Sequence, residues 1–389
     1  MILRAVALIL QVIGGLLIVF VCAVAIYNYF VHYQSRLDGW PPRSAFAPPV
    51  EWSPQNPQKV RILAIDGGGM HGLAALEILR ALEQRAGRPL PELFDFVAGT
   101  STGSIIAALL LLPDENGKPR FSVDDVIAIY EDLSQRIFRV PWYHRLLTVN
   151  GLMGPLFLNH GKFIESSEFF RGYSFGELIR PAMVPTYSRA TSSLHLFINF
   201  RDVDANLNLG PLIAAATSAQ SIFPGVQLQG HIKLEGMYDD AGMILNNPAH
   251  KAFEVALLRN PNSEIVVVSV GTNFTEVVTP EVDVYGGMVQ WAIPMLHIIT
   301  KGQAGVSTAS LDTLEEVAKL VNLDAYRLAA PLSPNLQPFD ASKSNIDNLR
   351  KAGRDYVSSS ETELTETLKA LGVSDHDQTG QMPSLPQVR

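Results

Sequence analysis

Gly99-Thr100-Ser101-Thr102-Gly103 has the form G-x-S-x-G, in which a serine between two glycines can serve as a nucleophile. At average Gly and Ser frequencies of ~7%, such a pentapeptide arises by chance in about one chain in eight of this length, so its setting has to be weighed. It follows the strand-like FDFVAG (94–99) and precedes SIIAALLLL, which reads as a buried helix. That is the strand–turn–helix context of a nucleophile elbow, whose turn is too tight for side chains at Gly99 and Gly103. The turn lifts the Ser101 hydroxyl to a helix N-terminus, where free N–H groups and the helix dipole favour developing negative charge.

A second glycine-rich element, Asp66-Gly67-Gly68-Gly69-Met70-His71-Gly72, directly follows a predicted strand. Its successive N–H groups can point at an anion. Walker A spacing is absent. The bare G-x-G-x-x-G spacing of a dinucleotide loop is present, but that reading leaves the serine motif idle. An oxyanion hole uses both motifs, with loop amides holding the charge that forms when Ser101 attacks a carbonyl. A serine also needs a base, and Tyr238-Asp239-Asp240-Ala241-Gly242 offers two carboxylates beside a small-residue turn, which a surface turn capping a helix would explain equally. A Ser-His-Asp triad in that chain order would have to use His250, His297 or His376, none in a persuasive context.

These motifs need a scaffold. From Lys59 to about Gly372, β-rich runs alternate with helical stretches, the pattern of an α/β domain on a largely parallel sheet. Strands are predicted at 60–65, 94–99, 194–200 and 264–270. A helix is predicted where Ala75, Ile78, Leu79 and Leu82 fall at helical spacing. Ahead of the domain, residues 5–26 form an apolar run with Gln11 as its one strongly polar side chain, long enough to cross a bilayer. The expected layout is an N-terminal single-pass anchor over 1–31, with a signal sequence as its competitor, then a Pro-rich spacer over 32–58. The catalytic domain would occupy 59–372 and a disordered tail 373–389.

Composition narrows the partners. The 389 residues carry 30 basic and 38 acidic side chains, a net charge of −8 with no Lys/Arg block, which argues against nucleic-acid binding. The one cysteine, Cys22, lies in the apolar run, so neither an internal disulfide nor a thiolate zinc site is expected in the domain. Arg136 to Arg145 interleaves bases with aromatics. The expected arrangement there is a helix end with Trp142 packed inward, the alternative being a lipid-facing patch.

Together, DGGGMHG, GTSTG and DAGMILNNPA resemble the signatures of the patatin-like phospholipase family, with further likeness in ATSAQSIFP (216–224) and FDASKSNIDNLRKAG (339–353). The resemblance implies a three-layer α/β/α sandwich around a mixed, largely parallel sheet and the hydrolysis of fatty acyl esters of lipids. It makes Ser101 the nucleophile, Asp240 the base of a Ser-Asp dyad, and Gly67, Gly68, Gly69 and Met70 the lining of the oxyanion hole. No metal or organic cofactor is required on this reading, the partners are a phospholipid or other acyl-ester lipid and a membrane, and no protein partner is read. Register favours Asp240, which is followed by Ala-Gly, over Asp239. His71 stands where the family usually has Arg or Lys, replacing a fixed charge with a group of unperturbed pKa near ~6.5. The rivals are a Ser-His-Asp esterase and a silent, membrane-tethered binding module.

Overall fold

A computed structural model describes residues 2–34, 48–158, 169–228, 234, 236–274 and 321–373. The first strand explains the layering. In β1 (Lys59–Ile65), Leu63 and Ile65 pack into one hydrophobic core, while Val60, Ile62 and Ala64 pack into a second on the opposite face. Successive side chains of a strand point to opposite faces, so a strand apolar at nearly every position belongs between two layers. β7 (Glu264–Phe274) divides the same way, Val266, Val268 and Val270 against Ile265 and Val267.

The larger core is covered by α2 (Gly72–Ala86), α3 (Thr102–Leu111), α4 (Val123–Ile137), α6 (Leu209–Ala216), α8 (Lys343–Ser359) and α9 (Glu361–Ala370). The smaller is covered by α7 (Ala249–Arg259), through Ala249, Ala252, Phe253 and Ala256. The result is the expected three-layer sandwich. The sheet is mixed, with β1 parallel to both β2 (Phe96–Gly99) and β7, β7 parallel to β8 (Leu323–Leu332), and β2 parallel to β3 (Ala182–Ser188). The remaining strands, β4 (Ser193–Ile198), β5 (Val226–Leu228) and β6 (Gly236–Asp240), pair antiparallel.

One register detail sets the site. β4 lies along one edge of β3 throughout. On the other edge, Met183 pairs with Ala98 of β2, and three residues on, Thr186 pairs with Asp240 of β6. Strand β2 runs parallel to β3 and β6 antiparallel, so their C-terminal ends meet head to head along that edge. Ser101 lies two residues past the end of β2, and Asp240 ends β6.

Element boundaries shift by one to four residues from those expected, and three differences have a visible physical cause or consequence. β2 starts at Phe96, because Asp95 turns its carboxylate onto the Arg61 backbone amide and guanidinium at 2.9–3.0 Å. α1 (Ile2–Gln34) runs past position 31, and its Arg4–Phe30 portion is long and apolar enough to cross a membrane, a property it shares with signal sequences. The later part of the expected spacer is no free tether. Trp52 packs edge-on against Phe96 and Phe200 and donates to Asn260 Oδ1 at 2.6 Å, tying this stretch to the domain. The expected disordered tail from 374 onward lies outside the described residues.

Candidate active site

Ser101 sits between β2 and α3 at φ 51° and ψ −121°, a region that a residue with a Cβ adopts only when its surroundings hold it there. The surroundings are backbone. A Cβ on Gly99 would stand 2.1 Å from the Gly103 carbonyl oxygen, and one on Gly103 would stand 2.3 Å from that of Ile65, so neither position tolerates a side chain. Gly103 and Ser104 amides close the turn on the Thr100 and Ser101 carbonyls at 2.7 and 2.8 Å.

The glycine loop lies against this turn. A Cβ on Gly67 would be 3.1 Å from that of Ser101. The loop's four sequence candidates divide into two pairs. Gly67 N–H donates to the Asn246 carbonyl at 3.0 Å and Met70 N–H to the Pro338 carbonyl at 2.8 Å, so these two amides hold the loop in place. Of the four residues expected to line an anion site, these two thus have their amides already engaged. Gly68 and Gly69, at φ 147° and 57°, donate to no acceptor among the described residues. Tyr130 of α4 clamps the two motifs together, donating from its buried hydroxyl to the Gly69 carbonyl at 2.8 Å and contacting the Thr102 hydroxyl. Burial pushes the Tyr130 phenol up to about 12, which keeps it a neutral donor.

The two adjacent carboxylates part company by strand alternation. Asp239 is buried and held bidentate by Arg189 at 2.5 and 2.7 Å. Asp240 is buried, accepts the Gly242 amide on Oδ1 at 2.7 Å, and is fixed through its backbone to the Ser218 carbonyl and the Gln220 side chain. Asn246 bridges the two halves, because its Oδ1 lies 2.6 Å from where a Gly67 Cβ would be and 3.7 Å from a Gly242 Cβ.

Under the loop, Asp66 forms a buried ion pair with Arg327 of β8 at 2.5 and 2.9 Å. Arg327 also donates to Ser269, which accepts from Asn247 at 2.9 Å. Burial pushes the Asp66 carboxyl above its ordinary value, and Arg327 pulls it back. Arg327→Met is therefore expected to destabilise the protein by about 3–5 kcal/mol at neutral pH by stranding a buried carboxylate. Because Asp66 in that variant would already be protonated on acidification, the loss should shrink toward pH ~4, as read from denaturant titrations at the two pH values.

His71 is buried, with its ring edge-on to Phe274 at 5.5 Å and Nε2 3.1 Å from the Leu336 carbonyl. His250 is half-exposed on α7, with Nε2 3.5 Å from Glu254 one turn along, and it does not line the Ser101 pocket. His297 and His376 lie outside the described residues.

Ser101 and Gly69 open onto a pocket of about 530 Å³ whose walls are almost wholly apolar, among them Ile105, Leu133, Ile137, Phe138, Phe223 and Phe339. Phe138 contacts Phe157, Phe223 and Phe339 at ring separations of 5.2–6.1 Å. Sequence reading missed Tyr130, Arg327 and Asn246. Tyr130 shares a helical stripe with Val126, Ile127 and Leu133 and reads there as ordinary core, and Arg327 lies more than 200 positions from its partner Asp66.

Residues 63–253 match the family model described as patatin-like phospholipase. Patatin-like protein 1 of Arabidopsis thaliana is 25% identical over 339 residues, 76% of this chain and 80% of its own length. Calcium-independent phospholipase A2-gamma of Rattus norvegicus is 24% identical over 343 residues, 80% of this chain and 40% of its own. A relative named "Probable inactive patatin-like protein 9", also of Arabidopsis thaliana, is 26% identical over 211 residues, 50% of this chain and 54% of its own.

Proposed function

This chain belongs to the patatin-like phospholipase family, and we propose that it hydrolyses fatty acyl esters of lipids with Ser101 as nucleophile and Asp240 as base. The observation that carries this reading is a serine in a strained elbow at the mouth of an apolar pocket, beside two loop amides with no protein acceptor among the described residues. A pocket with apolar walls suits an acyl chain, and the polar groups beside Ser101 suit an ester.

In the proposed reaction, Asp240 takes the Ser101 hydroxyl proton as Oγ attacks the acyl carbonyl carbon. The Gly68 and Gly69 amides stabilise the oxyanion in the tetrahedral intermediate. Collapse breaks the ester C–O bond, and the proton on Asp240 passes to the departing alkoxide of the glycerol backbone. Water, deprotonated by the same carboxylate, then attacks the acyl-serine, and the proton passes from Asp240 to the departing Ser101 Oγ as the fatty acid is released. The Gly242 amide on Asp240 Oδ1 orients the carboxylate, and the ion pair between Asp239 and Arg189 removes the neighbouring carboxylate from competition.

The Ser-His-Asp reading loses support because His250, the one of its three candidates among the described residues, does not line the pocket. A silent binding module has a precedent in the relative named as inactive, but Ser101, Asp240 and the glycine loop are all retained here. We assign α1 as the membrane anchor, which confines the enzyme to a surface rich in its substrate.

The test is fatty acid release from mixed phospholipid vesicles by the full chain, with products identified by mass. No release by folded protein, from vesicles or from short soluble esters, would overturn the assignment. Ala219, on the pocket wall, supplies a finer check. Ala219→Phe should fill part of the acyl space and shift the preferred chain toward shorter acids, lowering activity on long chains about tenfold or more relative to short ones.

A further inference from the structure

Beyond α1, seven large apolar side chains are at least 46% exposed among the described residues. Five of them, Trp142, Tyr143, Leu146, Leu152 and Met153, fall within twelve positions. They belong to α5 (Trp142–Leu147) and the turn after it. Trp142, expected to pack inward, is 76% exposed. The segment cannot bury both faces because His144 and Thr148 take the inward positions, His144 between Tyr27 and the Pro155 carbonyl. A clustered apolar surface of this kind marks a contact.

The partner follows from where the cluster is attached. Tyr27 Oη lies 2.8 Å from His144 Nδ1, its ring stands edge-on to Tyr143, and Asn28 donates to the Met153 carbonyl at 3.0 Å. Tyr27 and Asn28 lie near the C-terminal end of the Arg4–Phe30 portion of α1, directly after its continuous apolar run over 5–26. At ~1.5 Å per residue, that run of 22 residues spans about the ~30 Å of a bilayer's hydrocarbon core. Tyr27 and Asn28 then reach the lipid boundary, and their contacts hold α5 at the same depth.

Charge agrees with this placement. From Leu133 to Leu158 the chain has no Asp or Glu, while Arg139 and Arg145 are exposed. Trp and Tyr rings beside arginines are the side chains that favour the headgroup layer. A groove opens beside the cluster, lined by Asn28, Leu152 and Met153 together with Arg189 and Phe223. Phe223 also walls the Ser101 pocket.

We propose that α5 and the following turn lie in the headgroup layer of the same bilayer that holds α1, so that the groove receives lipid directly from the membrane and leads it to Ser101. This rests on the lipid acyl hydrolase reading and on retention of α1 as the anchor. The surface acts as a second contact that fixes the tilt of the domain, which a single helix would leave free.

The test uses the full chain reconstituted in phosphatidylcholine vesicles containing phosphatidylglycerol, with part of the phosphatidylcholine brominated on its acyl chains. The Trp142 emission is taken as the difference between wild type and Trp142→Phe. It should be quenched by the lipid bromines and shielded from aqueous iodide, whereas quenching by iodide alone overturns the proposal. In parallel, Trp142→Gln/Leu146→Gln should lower hydrolysis of vesicle lipid about tenfold, as expected for losing two interfacial apolar anchors, and leave a short soluble ester cleaved at the wild-type rate. An equal fall on both substrates overturns it, as does a purified protein whose mass shows α1 removed. Should wild type cleave neither substrate, the hydrolase reading fails, and the bromine quenching still decides the membrane contact.

Discussion

Ser101→Ala is expected to reduce fatty acid release by about 10⁴–10⁶-fold in kcat while leaving the protein as stable as wild type. The neighbouring hydroxyls offer no substitute, since Thr100 is fully buried and Thr102 is engaged with Tyr130. Stability should hold because the Ser101 side chain makes no capping hydrogen bond to α3, and serine and alanine both carry a Cβ into the strained backbone at φ 51°. Such a change belongs among substitutions worth about ±0.5 kcal/mol. The measurement pairs product release with thermal unfolding of the same preparation. Turnover in folded Ser101→Ala protein would remove the serine from the mechanism.

Asp240→Asn is expected to cost about 10⁴-fold in kcat, because the amide keeps the size of the carboxylate and its bond to the Gly242 amide but cannot take the serine proton. The informative control is its neighbour. Asp239→Asn disturbs a pair whose other member, Arg189, is half-exposed and can return to water, so activity should remain within a few-fold of wild type. Two adjacent carboxylates on one strand are thus assigned opposite duties, one to a surface cation and one to the reaction. If Asp239→Asn proved inactive and Asp240→Asn active, the register of the base would be wrong by one residue.

Most of the candidate site is legible in the sequence. The elbow announces itself because G-x-S-x-G needs glycines where backbone meets backbone, and the structure has carbonyls 2.1 and 2.3 Å from the would-be Cβ atoms of Gly99 and Gly103. Of the strands in the parallel half, β1 and β7 were visible as Val- and Ile-rich runs, while β8, in which Asp324, Tyr326 and Arg327 interrupt the apolar positions, was not. β3, with Pro185 inside it, and the short β5 and β6 carry no such run. They are stabilised by pairing with segments up to 85 residues away, which no local window sees.

By itself, the sequence determined the residue types of the proposed nucleophile, the proposed base and the glycine loop, and the strand–turn–helix setting of the elbow. Each of these is a property of neighbours along the chain: turn sterics, strand alternation, the apolar period of a helix. Tertiary structure alone decided which loop amides stay unspent, since Gly67 and Met70 are consumed by carbonyls of Asn246 and Pro338. It also placed Arg189 on Asp239, brought Arg327 beneath Asp66, and turned Trp142 outward next to the end of α1. Those outcomes depend on which distant group arrives first at a hydrogen-bond donor or an apolar face, and that is settled only when the sheet closes its register and the helices pack on it.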